Sequence, residues 1–181
     1  MDFYIQASNP THLDKPEFIV DDTLLGAIES VFPYETEDAI LFWAGVYVPL
    51  RYKDVLSCIV SDVFWISKEL RQRKSGTHTI VWGSQEFQCD WEFSWANGIT
   101  EITFIRRGCI GLDELAHRSP VKIEIEQFIA EWEMPFLICR RALLACGYHT
   151  SNLIVMKELD LFLNSIAGRG YLYSDVTIKP T

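Results

Sequence analysis

The chain has 181 residues, of which 49% are apolar and 23% are charged, and its formal net charge is −9. A chain of this length buries about 70% of the surface that its unfolded form exposes, so it can fold without a metal or a disulfide. The composition excludes a disordered or fibrous protein. The excess of acids argues against a protein that binds nucleic acid through its phosphates. We therefore expect a single domain over residues 1–181.

The first residues and the cysteines predict a cytoplasmic protein. The start MDFYIQASNP has neither the basic region nor the apolar run of a secretory signal. No segment has the uninterrupted apolar length of a membrane span. The cysteines are odd in number and form no CxxC pair, which is typical of reduced thiols: Cys58, Cys89, Cys109, Cys139 and Cys146. Neither they nor the histidines have the spacing of a zinc site, so no metal and no cofactor is expected.

The N-terminal half is predicted to alternate strands and helices. Residues 2–7 favour a short strand. Asp21 and Asp22 precede an apolar segment and predict a capped helix that ends near Pro33. The apolar run 39–52 predicts one buried strand, with Pro49 at its end or at a bulge. Apolar residues at steps of three and four then predict a helix over 53–73, which Gly76 ends.

The segment 86–106 carries the strongest local pattern. Its first half alternates, with Phe87, Cys89, Trp91, Phe93 and Trp95 on one face. Asn97-Gly98 follows and predicts a two-residue turn between antiparallel strands. Such a turn fixes the register, with Trp91 opposite Phe104 and Ala96 opposite Ile99.

The remaining segments complete an α+β fold. Residues 121–128 alternate and predict another strand. Helices are expected from Pro135 to Cys146, followed by Gly147, and over 152–167 after a cap at Thr150 or Ser151. The tail 171–181 is expected to add an edge strand. The fold class is therefore α+β, a mostly antiparallel sheet with a central Asn-Gly hairpin and about four helices packed mainly on one face.

No motif in the chain predicts catalysis. A phosphate-binding loop, HExxH and GxSxG are all missing from the sequence. Cys109 lies beside Arg106 and Arg107, which would stabilise a thiolate, but no base partner is identifiable. His78 and His117 are better explained as packed or solvated side chains. We therefore expect a protein that is not an enzyme.

The charge is distributed unevenly and predicts a binding surface. Residues 1–38 contain nine acids and one base, which accounts for −8 of the total −9. An acidic surface attracts a basic partner and raises the association rate, although solubility and an ordinary solvated sheet face explain acids equally well. The candidate partner-binding residues come from the N-terminal segment and from the polar face of the hairpin: Asp21, Asp22, Glu35, Glu37, Asp38, Asp90, Glu92 and Glu101.

The chain resembles bacterial immunity proteins, the cytosolic antidotes of contact-dependent-inhibition and other polymorphic toxin systems. The resemblance lies in the start Met1-Asp-Phe-Tyr-Ile, the acidic segment 14–38, and WGSQEFQCDWEFSW leading into Asn97-Gly98. It implies a protein that neutralises a cognate toxin domain, basic and possibly a nuclease, by stoichiometric binding. It transfers no site residue.

Two other functions remain open at this point. The first is an enzyme or small-ligand protein with a pocket among Trp43, Trp82 and Trp91, closed by the loop 108–119. The second is a subunit of a larger assembly, with exposed apolar surface as its interface.

Overall fold

A computed structural model describes residues 2–20, 22–108 and 113–167. The α+β class and the antiparallel pairing are confirmed, but the strands form two sheets where the sequence predicts one. A three-stranded sheet has the order β1-β2-β3 and a four-stranded sheet the order β4-β5-β6-β7. The strands are β1 Phe3–Gln6, β2 Ala39–Trp43, β3 Val46–Leu50, β4 Ser75–Trp82, β5 Cys89–Ala96, β6 Ile99–Arg106 and β7 Val121–Glu124.

The helices lie between and after these strands. They are α1 Leu24–Val31, α2 Ser57–Gln72, α3 Asp113–His117, α4 Ile125–Ala130, α5 Glu133–Ala145 and α6 Met156–Ala167. A π-helical turn, Tyr52–Leu56, leads directly into α2. None of these helices is long and apolar enough to cross a bilayer. The packing of helices mainly on one face of a sheet stays a prediction.

The apolar run 39–52 is two strands and not one. The chain reverses at Ala44 and Gly45, whose φ angles are 45° and 94°, and Trp43 then pairs with Val46. No polar residue marks this turn, which is why the pattern predicts a single strand. Pro49 lies in β3, an edge strand, where a missing N–H removes no bond of the sheet.

In the four-stranded sheet, β5 and β6 are joined by Asn97 and Gly98, with φ angles of 54° and 80°. Trp91 lies opposite Phe104 and Ala96 opposite Ile99, the same pairs that the sequence predicts. The predicted strand 121–128 is wrong in its second half. Strand β7 ends at Glu124, and helix α4 follows because Ile125, Phe128 and Ile129 are buried at helical spacing.

Several predicted helix boundaries are corrected. The N-cap of α1 is Thr23, whose hydroxyl accepts from the Gly26 N–H, so Asp22 lies just outside the helix and Asp21 outside the described residues. Gly76 does not end α2 but lies in β4, where a Cβ would come within 2.5 Å of the Trp95 ring.

The two C-terminal helices also begin elsewhere than predicted. Helix α5 begins at Glu133, two residues before Pro135, and Gly147 follows it with a φ of 87°. Helix α6 begins at Met156, later than predicted. The tail 171–181 lies outside the described residues.

Both sheets share one hydrophobic core. Its centre holds four tryptophans that are at most 1% exposed, Trp43, Trp82, Trp91 and Trp132. The Phe3 ring of β1 lies 5.8 Å from the Trp91 ring of β5, which places the inner faces of the two sheets in contact. The core thus contains most of the tryptophans, while Trp65 and Tyr34 remain exposed.

Candidate functional site

The predicted tryptophan pocket is wrong. The rings of Trp43 and Trp82 lie 5.4 Å and 4.9 Å from the ring of Trp91, and all three side chains are at most 1% exposed. Trp43 points inward from one sheet and Trp82 and Trp91 from the other, so their rings fill the space that a ligand would need. Residues 109–112 of the loop predicted to close this pocket lie outside the described residues.

The predicted acids of the hairpin lie on the face opposite the tryptophans, and most of their charge is neutralised. We call this surface the open face; its members alternate with buried residues along β4 to β7 and include Thr77, Thr79, Asp90, Glu92, Glu101, Thr103 and Lys122. Asp90 forms an ion pair with Arg107 at 2.6 Å, and Glu101 forms one with Lys122 at 2.9 Å. Glu92 is exposed between Thr79 and Thr103.

The predicted acids of the N-terminal segment have different surroundings. Asp22 and Glu35 are exposed. Glu37 is also exposed, but its carboxylate accepts from the Asn9 N–H at 3.1 Å and so fixes the loop beside it. Asp38 is half-buried and interacts with Arg51. Only part of this predicted set is therefore free to meet a partner.

A groove beside these acids is a site that sequence reasoning missed. We call it the Tyr34 groove; it has a volume of about 540 Å³ and is lined by Leu13, Asp14, Lys15, Pro16, Glu17, Pro33, Tyr34 and Lys53. The Tyr34 side chain is 60% exposed, although it is a large aromatic residue. The available signal was an aromatic residue in a run of acids, directly after the proline that ends a helix.

Two cationic side chains of the protein contact the Tyr34 ring. Lys53 Nζ lies 4.6 Å from the ring centre, and the Arg51 guanidinium lies 6.0 Å from it. The Lys53 side chain is only 7% exposed, and its ammonium donates to Glu17 at 2.6 Å. Arg51 donates to Asp54 at 3.2 Å and to Glu86 at 2.8 Å. The Tyr34 ring thus contacts an ion-pair network that joins residues 17, 51–54 and 86.

The network retains excess negative charge. Burial raises the pKa of Glu29, and the charge of Asp54 raises it further. Burial likewise raises the pKa of Asp38, against the lowering effect of Arg51, and Glu86 and Asp54 add to the rise. Counted with Glu35 and Glu37, which follow Tyr34 closely in the sequence, the network and the groove lining contain eight carboxylates and three cations, a net charge of −5: Asp14, Glu17, Glu29, Glu35, Glu37, Asp38, Asp54 and Glu86 with Lys15, Arg51 and Lys53.

We expect Glu29→Gln to raise the melting temperature at pH 7. The folded state raises the pKa of this carboxyl above its ordinary value of 4.5, so ionised Glu29 disfavours folding. The gain in stability is complete above the raised pKa and disappears as the pH falls below the ordinary value, where the wild-type carboxyl is protonated in both the folded and the unfolded state. Thermal unfolding followed by circular dichroism between acidic and neutral pH measures it. Glu92→Gln is the control and leaves the melting temperature unchanged; a Glu29→Gln variant less stable than wild type at pH 7 contradicts the prediction.

The other candidate groups do not converge on a reaction site. Cys89 and Cys139 are buried, Cys58 and Cys146 are half-buried, and Cys109 lies outside the described residues. The His78 ring packs on Trp65 at 4.0 Å, and His117 is exposed at the end of α3. Over the described ranges, no three His, Cys, Asp or Glu side chains come together as a group that could hold a metal ion.

No family model, no curated protein and no solved structure matches the chain. The function is therefore argued from the Tyr34 groove and its charges.

Proposed function

We propose that this chain is a cytosolic binding protein that neutralises a basic toxin domain by forming a stoichiometric complex. The binding surface is the Tyr34 groove with the acids around it. The observation that carries the proposal is an aromatic side chain, 60% exposed, within a group of charges that sums to −5. An exposed aromatic residue in a group whose carboxylates outnumber its cations is an arrangement that suits a cationic protein surface.

The groove supplies an anchor that is ordered before binding. Tyrosine is enriched among the residues that dominate binding energies, because its ring buries a large area and loses little rotamer freedom. The contacts of Lys53 and Arg51 already restrict the Tyr34 ring. Ordering the Tyr34 side chain on binding therefore costs less free energy than ordering an unrestrained tyrosine would.

The surrounding acids raise the rate of association and orient the partner as it approaches. A field of one sign accelerates association with a partner of the opposite sign and aligns it before contact. Carboxylates can also occupy the positions that nucleic-acid phosphates take on a basic enzyme surface. A complex formed here would thus cover the phosphate-binding residues of a nuclease, and inhibition would need no chemistry by this chain.

Two half-buried acids of the network beside the groove have surroundings that disfavour their charge. Glu29 and Asp38 have raised pKa values, so their ionised forms disfavour the folded state near neutral pH. Groups that reduce stability cluster where function needs them. The open face is a weaker second surface, because Arg107 and Lys122 already neutralise Asp90 and Glu101.

The proposal is tested by capture from the native host at low and moderate salt, with the purified chain as bait. The expected partner is a basic protein that binds in a one-to-one ratio, is released by salt, and is toxic when expressed without this chain. Mass spectrometry identifies it, and co-expression tests protection. Failure to find such a partner at either salt concentration overturns the proposal.

Variants then test the surface. We expect Glu35→Lys to lower the association rate by about tenfold at low salt with little change in dissociation, because it reverses an exposed steering charge. Tyr34→Ala should instead raise the dissociation rate, because it removes the anchor. Surface plasmon resonance separates the two rates. Glu92→Lys, on the open face, is the matched control; loss of binding in this variant alone would exclude the groove.

A further inference from the structure

The outer edge of β4 is the least protected strand edge among the described residues. Exposed strand edges invite pairing with another chain, and proteins protect them with short strands, charges, prolines or covering groups. The other three edge strands carry such protection. Strand β1 has four residues, and its Ile5 N–H donates to Glu131 at 3.0 Å. Strand β3 contains Pro49, and β7 has four residues including Lys122 and Glu124.

Strand β4 has none of these devices. It runs for eight residues, Ser75–Trp82, without an acidic residue, a lysine, an arginine or a proline. All eight residues pair with β5 in one continuous register, so no bulge twists the edge away. Within residues 2–20, 22–108 and 113–167 no strand pairs with its other side.

The sequence of β4 suits antiparallel pairing with itself. When Thr79 lies on a two-fold axis, it faces Thr79 of the second copy, and Thr77 faces Val81. Threonine pairs and threonine–valine pairs are favourable across strands. On the inner side His78 faces Ile80, beside Trp65, which contacts His78 and remains 45% exposed. The second copy would cover this indole.

The flanks of β4 bring no like charges together. Lys74 precedes the strand, and Arg73 beside it is already paired with Glu69 at 2.7 Å. With Thr79 on the axis, antiparallel pairing places Lys74 opposite Ser84 of the second copy, so the two cationic flanks lie at opposite ends of the interface. Glu92 and its copy would be three strand spacings apart, about 14 Å, where salt largely screens their repulsion.

We propose that two copies of this chain associate through β4 and form a continuous eight-stranded antiparallel sheet. The contact is a two-fold symmetric interface on a surface distinct from the Tyr34 groove. It goes beyond the proposed function, and it stands whether or not the chain binds a toxin.

Thr79→Lys tests the interface. In the single chain this lysine lies beside Glu92 of β5 and can pair with it, so the fold is preserved. In the dimer the two lysines meet at the axis, and we expect dimerisation to weaken at least about tenfold. Thr103→Lys is the matched control, because it places a lysine beside the same Glu92 from β6 and leaves the edge unchanged.

Analytical ultracentrifugation from low micromolar to near-millimolar concentration measures the association. Wild type and Thr103→Lys should approach twice the 20.9 kDa chain mass, while Thr79→Lys stays near it. Hydrogen exchange should show the amides of β4 slowing as wild-type concentration rises. A wild type that remains monomeric throughout overturns the proposal. So does a dimer that persists in Thr79→Lys without protection of β4.

Discussion

We expect Trp91→Ala to lower the free energy of unfolding by about 3–5 kcal/mol, the range for deleting a large aromatic side chain from a core. Trp91 is 1% exposed, and its ring lies between Trp82 at 4.9 Å and Trp43 at 5.4 Å. These neighbours come from both sheets and are themselves closely packed. The cavity therefore closes only partly, and the loss exceeds the transfer free energy of the indole alone.

Urea unfolding followed by far-ultraviolet circular dichroism measures this loss without relying on the fluorescence of the deleted ring. Trp65→Ala, examined at low protein concentration, is the control; because Trp65 is 45% exposed, its removal should cost less than about 1.5 kcal/mol. Trp91→Phe should also cost little, since it keeps most of the ring contacts. Equal losses for Trp91→Ala and Trp65→Ala would contradict the central place of Trp91 in the core.

Trp91→Phe also removes an N–H group that lacks an acceptor. The indole nitrogens of Trp43, Trp82, Trp91 and Trp132 are buried without a hydrogen-bond partner among the described residues. Unpaired buried donors reduce stability, although the faces of neighbouring rings can accept weakly. In Trp91→Phe, the stability gained by removing the unpaired donor offsets part of the stability lost with the packing. The difference in unfolding free energy between Trp91→Phe and Trp91→Ala is therefore larger.

Features fixed by neighbouring residues were predictable from the sequence. The register of β5 and β6 depends on an alternating pattern and a two-residue turn within a short segment, and both signals give Ala96 opposite Ile99. The buried stripe of α2 follows in the same way from its spacing. The turn at Ala44-Gly45 was missed because it lies within an apolar run and has no polar residue to mark it.

Features that depend on distant residues were not predictable. Tyr34 was part of an acidic segment in the sequence, but its environment is made by Lys53, Arg51 and Glu17 from other segments. Asp38 is likewise half-buried and interacts with Arg51 of this network, surroundings that its place in the sequence did not show. The counts of acidic and basic residues predicted that the N-terminal surface carries negative charge. They could not show which acids are neutralised, because each pairing depends on how the elements pack.

The ion pair between Arg140 and Asp160 gives the second large effect that we expect. Arg140 Nε donates to Asp160 at 2.6 Å and joins α5 to α6, with side chains only 8% and 17% exposed. Arg140→Ala leaves a carboxylate in a largely buried position and should cost about 3 kcal/mol, the low end for a broken buried pair because Asp160 retains some water contact. A surface pair would cost less than about 1 kcal/mol.

A double-mutant cycle separates the pairing from the loss of packing. The variants are Arg140→Met, Asp160→Leu and their combination, measured by urea unfolding at neutral pH. We expect each single variant to be strongly destabilised and the double variant to recover a large part of the loss, because apolar side chains of similar volume replace a buried pair at little cost. Lys122→Ala, which breaks the exposed pair with Glu101, should change stability by less than about 0.5 kcal/mol. Additive losses in the cycle would show that Arg140 stabilises the helix contact through its packing and not through its charge.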